Sequence, residues 1–593
     1  MPEVRPRFIN APAPKESLSN RTRESAPGNP VLSGWLLAVL SRLLAASTWL
    51  QKVLWKLNKF DQLKNLRELE GYSARYDGTV IPVNDKHDEP LPLLELPKPR
   101  NRRNANSYYT VADYHNEYLS HDLTPLDVTE YLLSLVTRVG KTSSKYSVAY
   151  LDVQPDIVRA AARASTERYK SGQPLSMLDG IPIAVKDEVN LKGHQRSLGS
   201  NLNFKDKLDA TDWCVRKWEE AGAIIIGKTS MHELGLDTTN NNPTWGTPLN
   251  PHNENYYTGG SSGGSACTVT QGICPIALGV DGGGSIRIPS SCCGLYGLKP
   301  SQNRVSCYPA QDSPNTLAVC GPMSPSIDDL ALAFRIMAQP CPDDPVNLLF
   351  PLSNSLEALK ESATDKMYLG IDRDWVKLAD PDVLDRFNAA VQYYVQIHGY
   401  ETVDIKIPLQ SENQKAFSLT ILAETMSVLK PGQMSELQHA NQLVLNVSGV
   451  HATAQDLIAC ARLRERAMRH LSWLWTQYPG MLLLTPTMPF AGLKVRKPSD
   501  VTDGYGAADP DTELRSMEFT CFGNWVGAPA ITCPVGYTKD SLPIGIMALG
   551  EWGSEEQLIQ FARKHEGFLE AEGVRRPMRD GNWIDVLAQA KKM

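Results

Sequence analysis

Apolar residues fall into two patterns along this chain. Short unbroken runs bounded by glycine or proline recur through the body: IPIAVK (181–186), AIIIGK (223–228), CPIALGVD (274–281), MLLLTPT (481–487) and PAITCPVG (529–536). Runs without polar alternation predict strands buried on both faces. Between them the period lengthens. Thr124-Pro125-Leu126-Asp127 opens a helix with a capping residue ahead of proline, VTEYLLSLVTRV continues it, and further helices are predicted over 154–170 and 210–221. Strands alternating with helices across residues 108–580 predict one large α/β unit rather than a string of small domains.

The first hundred residues differ. Residues 1–30 are polar and proline-containing and are expected to be disordered, without the pattern of a cleaved secretory signal. Residues 31–70 read as an amphipathic helical extension, and 71–107, ending in LPLLELPKPRNRRNANS, as a linker. Over 32–60 a single helix would carry Leu36, Leu40, Leu43, Leu50, Leu54 and Leu57 on one face and Ser41, Arg42, Thr48, Lys52, Lys56 and Lys59 on the other. Arg42 near the middle of the apolar stretch costs about 2.5 to 3.5 kcal/mol at a bilayer centre, so a membrane span is disfavoured. Two partners fit the leucine face: the protein's own body or a second copy of the chain, as in a homodimer, and a membrane surface, which Trp35, Trp49 and Trp55 with the lysines would suit. Packing on protein is the reading preferred here.

Composition narrows the class. With 42% hydrophobic and 21% charged residues the chain is ordinarily globular, and a net charge of -6 argues against a nucleic-acid partner. Eleven cysteines, all from Cys214 onward and without paired spacing, suit reduced thiols better than a disulfide frame or a zinc site, which points to a cytoplasmic location, with peripheral membrane attachment as the variant. Asn20-Arg21-Thr22 and Asn446-Val447-Ser448 fit glycosylation triplets of the kind that arise by chance.

The chemistry concentrates in TGGSSGGSACTVTQGICPIALGVDGGGSIRIPSSCCGLYGLKP (258–300), where Ser261 and Ser285 each sit in a glycine-dense turn. Glycines let backbone N–H groups converge on one point, so Asp281-Gly282-Gly283-Gly284-Ser285 could combine a hydroxyl nucleophile with an anion-stabilising pocket. Other readings stand beside this one. GGSSGG could be a linker, DGGGS a phosphate turn, and Gly259-Gly260-Ser261-Ser262-Gly263 satisfies G-x-S-x-G, although the polar NPHNENYYT before it is no buried strand. No histidine lies in the segment, and Lys186, ending the IPIAVK run, is the candidate base. Burial disfavours its charged form, and bringing it from about 10.4 to near neutrality requires about 4 to 5 kcal/mol from the environment. Alternatively Lys186 pairs with Asp187 or Glu188 as an ordinary ion pair.

GIPIAVKD, GKTSMHELG (227–235), the long serine-glycine block, GPMS (321–324), LLLTPT (482–487) and FGNWVGAPAITCPVG followed by LPIGIMALG together resemble the amidase signature family over about residues 107–575. The resemblance implies an α/β fold in which a central mixed β-sheet is covered by helices. It implies hydrolysis of a carboxylic-acid amide, with esters as further substrates, through a Lys–Ser–Ser triad: Ser285 as nucleophile, Ser261 as the bridging hydroxyl after a cis peptide, and Lys186 as base. The N–H groups of Gly282, Gly283, Gly284 and Ser285 would form the oxyanion hole, and Gly235 would border the substrate. Ser262 would hydrogen-bond around the lysine, and Asp281 and Arg287 would support the turn. Such an acyl-enzyme route needs a small-molecule amide substrate and no metal or organic cofactor. The family also contains the acyl-transfer component of a multi-protein amidotransferase, and a membrane-associated lipid-amide hydrolase is a further variant of the same chemistry.

Overall fold

The five apolar runs form interior strands, none of them at an edge, of an 11-stranded mixed sheet. The structure, a computed structural model, describes residues 7–19, 21, 28–83, 108–138, 144–204, 209–310, 316–351, 366–574 and 582–593. In chain order the sheet comprises β1 (Tyr150–Asp152), β2 (Pro182–Lys186), β3 (Ile224–Thr229), β4 (Ile276–Asp281), β5 (Tyr296–Lys299), β6 (Val319–Ser324), β7 (Tyr368–Ile371), β8 (Glu401–Asp404), β9 (Leu482–Pro486), β10 (Ala530–Tyr537) and β11 (Pro543–Leu549). Their order across the sheet is β8-β7-β9-β11-β10-β5-β6-β4-β2-β3-β1. Every residue of β2, β3 and β4 is buried, as unbroken apolar runs require.

Two pairings set up the site. β2 and β4 run parallel, with Ile183 opposite Ile276 and Val185 opposite Leu278. Their carboxyl ends, Lys186 and Asp281, therefore emerge at the same edge, where crevices form in α/β sheets. β6 lies antiparallel on the other side of β4, with Val319 opposite Asp281 and Cys320 opposite Val280.

The expected helices form over Pro125–Val136, with Thr124 and Asp127 closing a capping box, over Pro155–Lys170 and over Trp213–Glu220.

The amino-terminal expectations need correction. Residues 7–19 are ordered against the body: Arg7–Ile9 pairs antiparallel with Ile81–Val83, and Arg466 Nη2 donates to Ser17 O at 2.7 Å. Residues 71–83 are likewise no free linker, since the Arg75 N–H donates to Ala461 O at 3.0 Å and Val80 is buried; 84–107 lie outside the described residues. The single helix expected over 32–60 is two, α1 (Gly34–Ala46) and α2 (Thr48–Leu57), parted at Ser47, whose Oγ accepts from the Leu50 N–H at 3.3 Å and starts α2. The buried face of α1 is also rotated, with Leu37, Ala38, Ser41 and Leu44 turned inward. Ser41 is tolerated there because its hydroxyl donates to Ala38 O at 3.0 Å and meets His439 Nδ1 at 3.1 Å. Leu36, Leu43 and Leu57, expected inside, are exposed. Asn446 is buried, its amide donating to Gln442 O at 2.7 Å, which removes it as a glycosylation acceptor in the folded chain; Asn20 lies outside the described residues.

Candidate active site

Lys186 is fully buried at the end of β2, and three acceptors surround its Nζ: Ser261 Oγ at 2.8 Å, Val280 O at 3.0 Å and Glu188 Oε2 at 2.8 Å. Three is the full donor complement of an ammonium. Burial is thus as expected, but the surroundings are not purely apolar. Of the two acidic neighbours considered from sequence, Glu188 is the partner, while Asp187 Oδ1 pairs with Lys228 Nζ at 3.2 Å and its other oxygen accepts from Ser197.

Ser261 follows a cis peptide bond from Gly260. Gly260 is required by close approach: a Cβ there would lie 2.7 Å from the Asn240 nitrogen. Among the described residues no hydrogen bond joins Ser262 to the lysine. Its Oγ donates to Val280 O at 3.2 Å, the carbonyl that also accepts from Lys186, so it fixes the lysine's acceptor instead.

Asp281 organises the turn that carries Ser285. One carboxylate oxygen accepts from the Gly284 N–H at 2.7 Å, the other from the Ile286 N–H at 3.1 Å, and Arg287 Nε meets it at 2.9 Å. Burial alone would raise this carboxyl, but the Arg287 charge and hydrogen bonds prevail and hold it well below the ordinary carboxylate range. Arg287 is fixed in turn by Thr520 O at 2.8 Å and Asn524 Oδ1 at 2.6 Å, and Asn524 Nδ2 donates back to Asp281 O at 2.7 Å. Lys299 beside them is lowered to about 7 by burial and by the Arg287 charge.

This network corrects one expectation. The Gly284 N–H is committed to Asp281 and is not free to meet an oxyanion, whereas the N–H groups of Gly282, Gly283 and Ser285 donate to no protein acceptor among the described residues. Gly284 matters instead for its shape, with φ +136 and space for a Cβ closed by Thr520 Oγ1 at 2.5 Å. Gly235 borders the cavity, but its N–H donates to His232 O at 3.0 Å, so it is a wall and not a donor. No hydrogen bond joins Ser285 Oγ to Ser261 Oγ among the described residues, a looseness common before substrate is bound.

Ser285 opens on a cavity of about 640 Å³. Near the serine its wall includes Phe417, Ile421 and Met517; farther out Leu40, Leu44, Leu50 and Leu54 of the amino-terminal helices line it. Asp237, Thr238 and Glu513 make a polar patch. Burial and the Asp237 charge push the Glu513 carboxyl well above its ordinary range.

Sequence reasoning missed three contributors. Asn524 and Thr520 lie more than 230 positions from the turn they brace; Asn524 falls within the FGNWVGAPAITCPVG motif, but nothing local ties either residue to that turn. The part played by residues 32–60 in the cavity wall was hidden because an apolar face states that it will be covered and not by what: Leu40, Leu50 and Leu54 of the expected face line the cavity. Cys214, Cys307 and Cys320, scattered in sequence, converge with their sulfurs within 4.8 Å of one another, the one such group of possible metal ligands among the described residues. The hydrogen bond to Cys307 and burial hold the Cys214 thiol well above its usual range.

The family model for Amidase matches residues 130–559. The chain belongs to the amidase family. A fatty acid amide hydrolase of Medicago truncatula is 32% identical over 94% of this chain and 95% of its own length. A glutamyl-tRNA(Gln) amidotransferase component from Archaeoglobus fulgidus is 30% identical over 70% of this chain and 91% of its own length. Among solved structures, a bacterial aryl acylamidase of the amidase signature family superposes with a TM-score of 0.66 at 23% identity, covering 79% of this chain and 99% of that one; it supports the fold. The amidase is an amide hydrolase of α/β fold.

Proposed function

We propose that this amidase hydrolyses long-chain acyl amides through a Ser285 acyl-enzyme, with Ser261 and Lys186 as its proton relay. The observation that carries the reading is the 2.8 Å hydrogen bond from buried Lys186 to Ser261, beside a Ser285 that faces a leucine-lined cavity. In the base form of the lysine, the Ser285 proton passes to Ser261 as the Ser261 proton passes to Nζ, and Ser285 Oγ bonds to the acyl carbon. The N–H groups of Gly282, Gly283 and Ser285 then receive the oxyanion, each such donor being worth about 3 to 4 kcal/mol in comparable sites. Reversal of the relay protonates the leaving amine, and water hydrolyses the ester.

The acyl chain is the part of the substrate for which the cavity argues. A volume of about 640 Å³, walled by Leu40, Leu44, Leu50 and Leu54, suits an extended hydrocarbon far better than a small polar acyl group. The naming of the Medicago truncatula relative as a fatty acid amide hydrolase agrees. The transamidation reading, in which a partner protein receives ammonia, gains nothing from an apolar chamber of this size. A series of amides with acyl chains from two to eighteen carbons tests the proposal: kcat/KM should climb with chain length, and a series that favours acetamide would reject it.

The outer side of the amino-terminal helices supports a second element of the proposal, attachment to a membrane surface. Trp35 and Trp49 are 68% and 73% exposed, and Leu36, Val39, Leu43 and Leu57 are exposed with them. Arg42, Lys52 and Lys56 are exposed on the same helices. No helix among the described residues is long and apolar enough to cross a bilayer. The inner side packs on the body while the outer side has the composition of an interfacial helix pair.

A further inference from the structure

Among the described residues one carboxylate pairs with Lys186, that of Glu188, and the geometry gives it a task. A turn closed by the Val189 N–H to Lys186 O at 3.1 Å swings Glu188 back over the end of β2, and Arg196 Nε anchors that turn through Glu188 O at 2.8 Å. Glu188 Oε2 arrives 2.8 Å from Nζ, opposite a lysine side chain only 1% exposed, while the glutamate side chain keeps 11% exposure. Other charged groups around Lys186 are engaged elsewhere. Asp187 is held by Lys228 and Ser197, Asp281 by Arg287, and His232 faces Asp237 at 3.9 Å.

We propose that Glu188 is a positioning residue of the relay, whose carboxylate aims Lys186 at Ser261 and stabilises the ammonium that forms when the lysine receives the Ser261 proton. The inference rests on the Lys186–Ser261–Ser285 reading above. In the acylation step the Nζ lone pair takes the Ser261 proton, Ser261 Oγ takes the Ser285 proton, the Ser285 Oγ lone pair bonds to carbon, and the carbonyl π pair moves to oxygen. Positive charge thereby appears on Nζ in a buried site, where an unpaired charge is costly and an adjacent carboxylate is strongly favourable. When the C–N bond breaks, its electron pair stays on nitrogen, which recovers the proton through Ser261 from Lys186. The carboxylate thus plays toward lysine the part an aspartate plays toward histidine in serine proteases. A carboxylate 2.8 Å from Nζ favours positive charge there, so its removal should both shift the pH dependence of the reaction and lower its limiting rate.

The test is the pH dependence, from pH 5.5 to 10, of the rate at which a fluorophosphonate labels Ser285 in the full chain. In Glu188→Gln the limiting rate should fall at least tenfold while the midpoint of its rise moves to lower pH; Glu188→Asp, which retains the charge, should return the midpoint toward the parent's. A tenfold loss with an unchanged midpoint would assign Glu188 a merely structural part and overturn the proposal, as would a profile superimposable on the parent's. Should Glu188→Gln fail to fold by its melting curve, Glu188→Ala takes its place with the same expected fall and shift, and an unshifted midpoint there again counts against the proposal. Lys186→Ala separates the two levels: if it labels Ser285 as fast as the parent, the relay itself is wrong, whatever Glu188 does.

Discussion

Arg287 Nε lies 2.9 Å from Asp281 Oδ2, and neither side chain reaches solvent. The pair closes the turn that presents Ser285, because the same carboxylate gathers the Gly284 and Ile286 N–H groups. Asp281→Asn preserves the shape and leaves the Arg287 charge buried without its counter-ion. Breaking such a pair costs about 3 to 5 kcal/mol. Urea unfolding should register that loss together with a collapse in turnover; a loss below about 1 kcal/mol would show that Asn524 and Thr520 hold the arginine unaided.

Ile421 stands where the cavity meets the turn, its Cδ1 only 3.1 Å from where a Cβ on Gly282 would be. Ile421→Trp should fill the chamber beside Ser285. Long-chain amides are expected to lose at least tenfold in kcat/KM while small aryl amides keep most of theirs. Parallel losses for both would mean that the substitution had disturbed the turn and not the chamber.

Trp35 and Trp49 are too exposed to support the fold, so replacing both by alanine should leave stability within about 0.5 kcal/mol of the parent. Sedimentation with anionic liposomes should nevertheless weaken, and in the parent it should be salt-sensitive, since Lys52 and Lys56 near a negative surface each add about 1 kcal/mol. Unchanged sedimentation would reject the membrane reading. A changed oligomeric mass would assign the face to a second copy of the chain.

Glu233 is buried beside the cavity, accepting from the Gln438 N–H at 2.7 Å and Asn441 Nδ2 at 2.8 Å. Burial outweighs those bonds and raises its carboxyl to about 7. The folded state therefore binds a proton that the unfolded chain releases near pH 4.5, and stability falls as pH rises from there through about 7. The cost at pH 8 is about 3 kcal/mol. Glu233→Gln should gain on the parent between pH 5 and pH 8 in urea midpoints; a constant difference would place the proton elsewhere.

The central strands and the serine-glycine block were legible because each is local: an apolar run states its own burial, and a glycine turn states its own geometry. What escaped was long-range. Asn524 and Thr520 reach the Ser285 turn only through the packing of distant segments. The Gly284 N–H looked like a free donor until the side chain of Asp281, three positions earlier, was seen to take it. The amino-terminal helices misled for a related reason. Ser41 and Gln51 are polar yet buried, held by hydrogen bonds to His439 and Asn446, so the hydrophobic pattern pointed to the wrong face. Lys186 shows the limit of burial arguments, since Glu188 lies two positions away and only the turn between them reveals that it folds back.

The most direct test of the central claim is peptide mass mapping of the full chain after reaction with a fluorophosphonate, for the parent and for Ser285→Ala, Ser261→Ala and Lys186→Ala. The expected result is a single adduct on Ser285 in the parent, no adduct in Ser285→Ala, and strongly slowed labelling at that same serine in the other two. An adduct on another residue, or undiminished labelling of Ser285→Ala, would contradict Ser285 as the nucleophile and with it the Lys186–Ser261 relay built behind it.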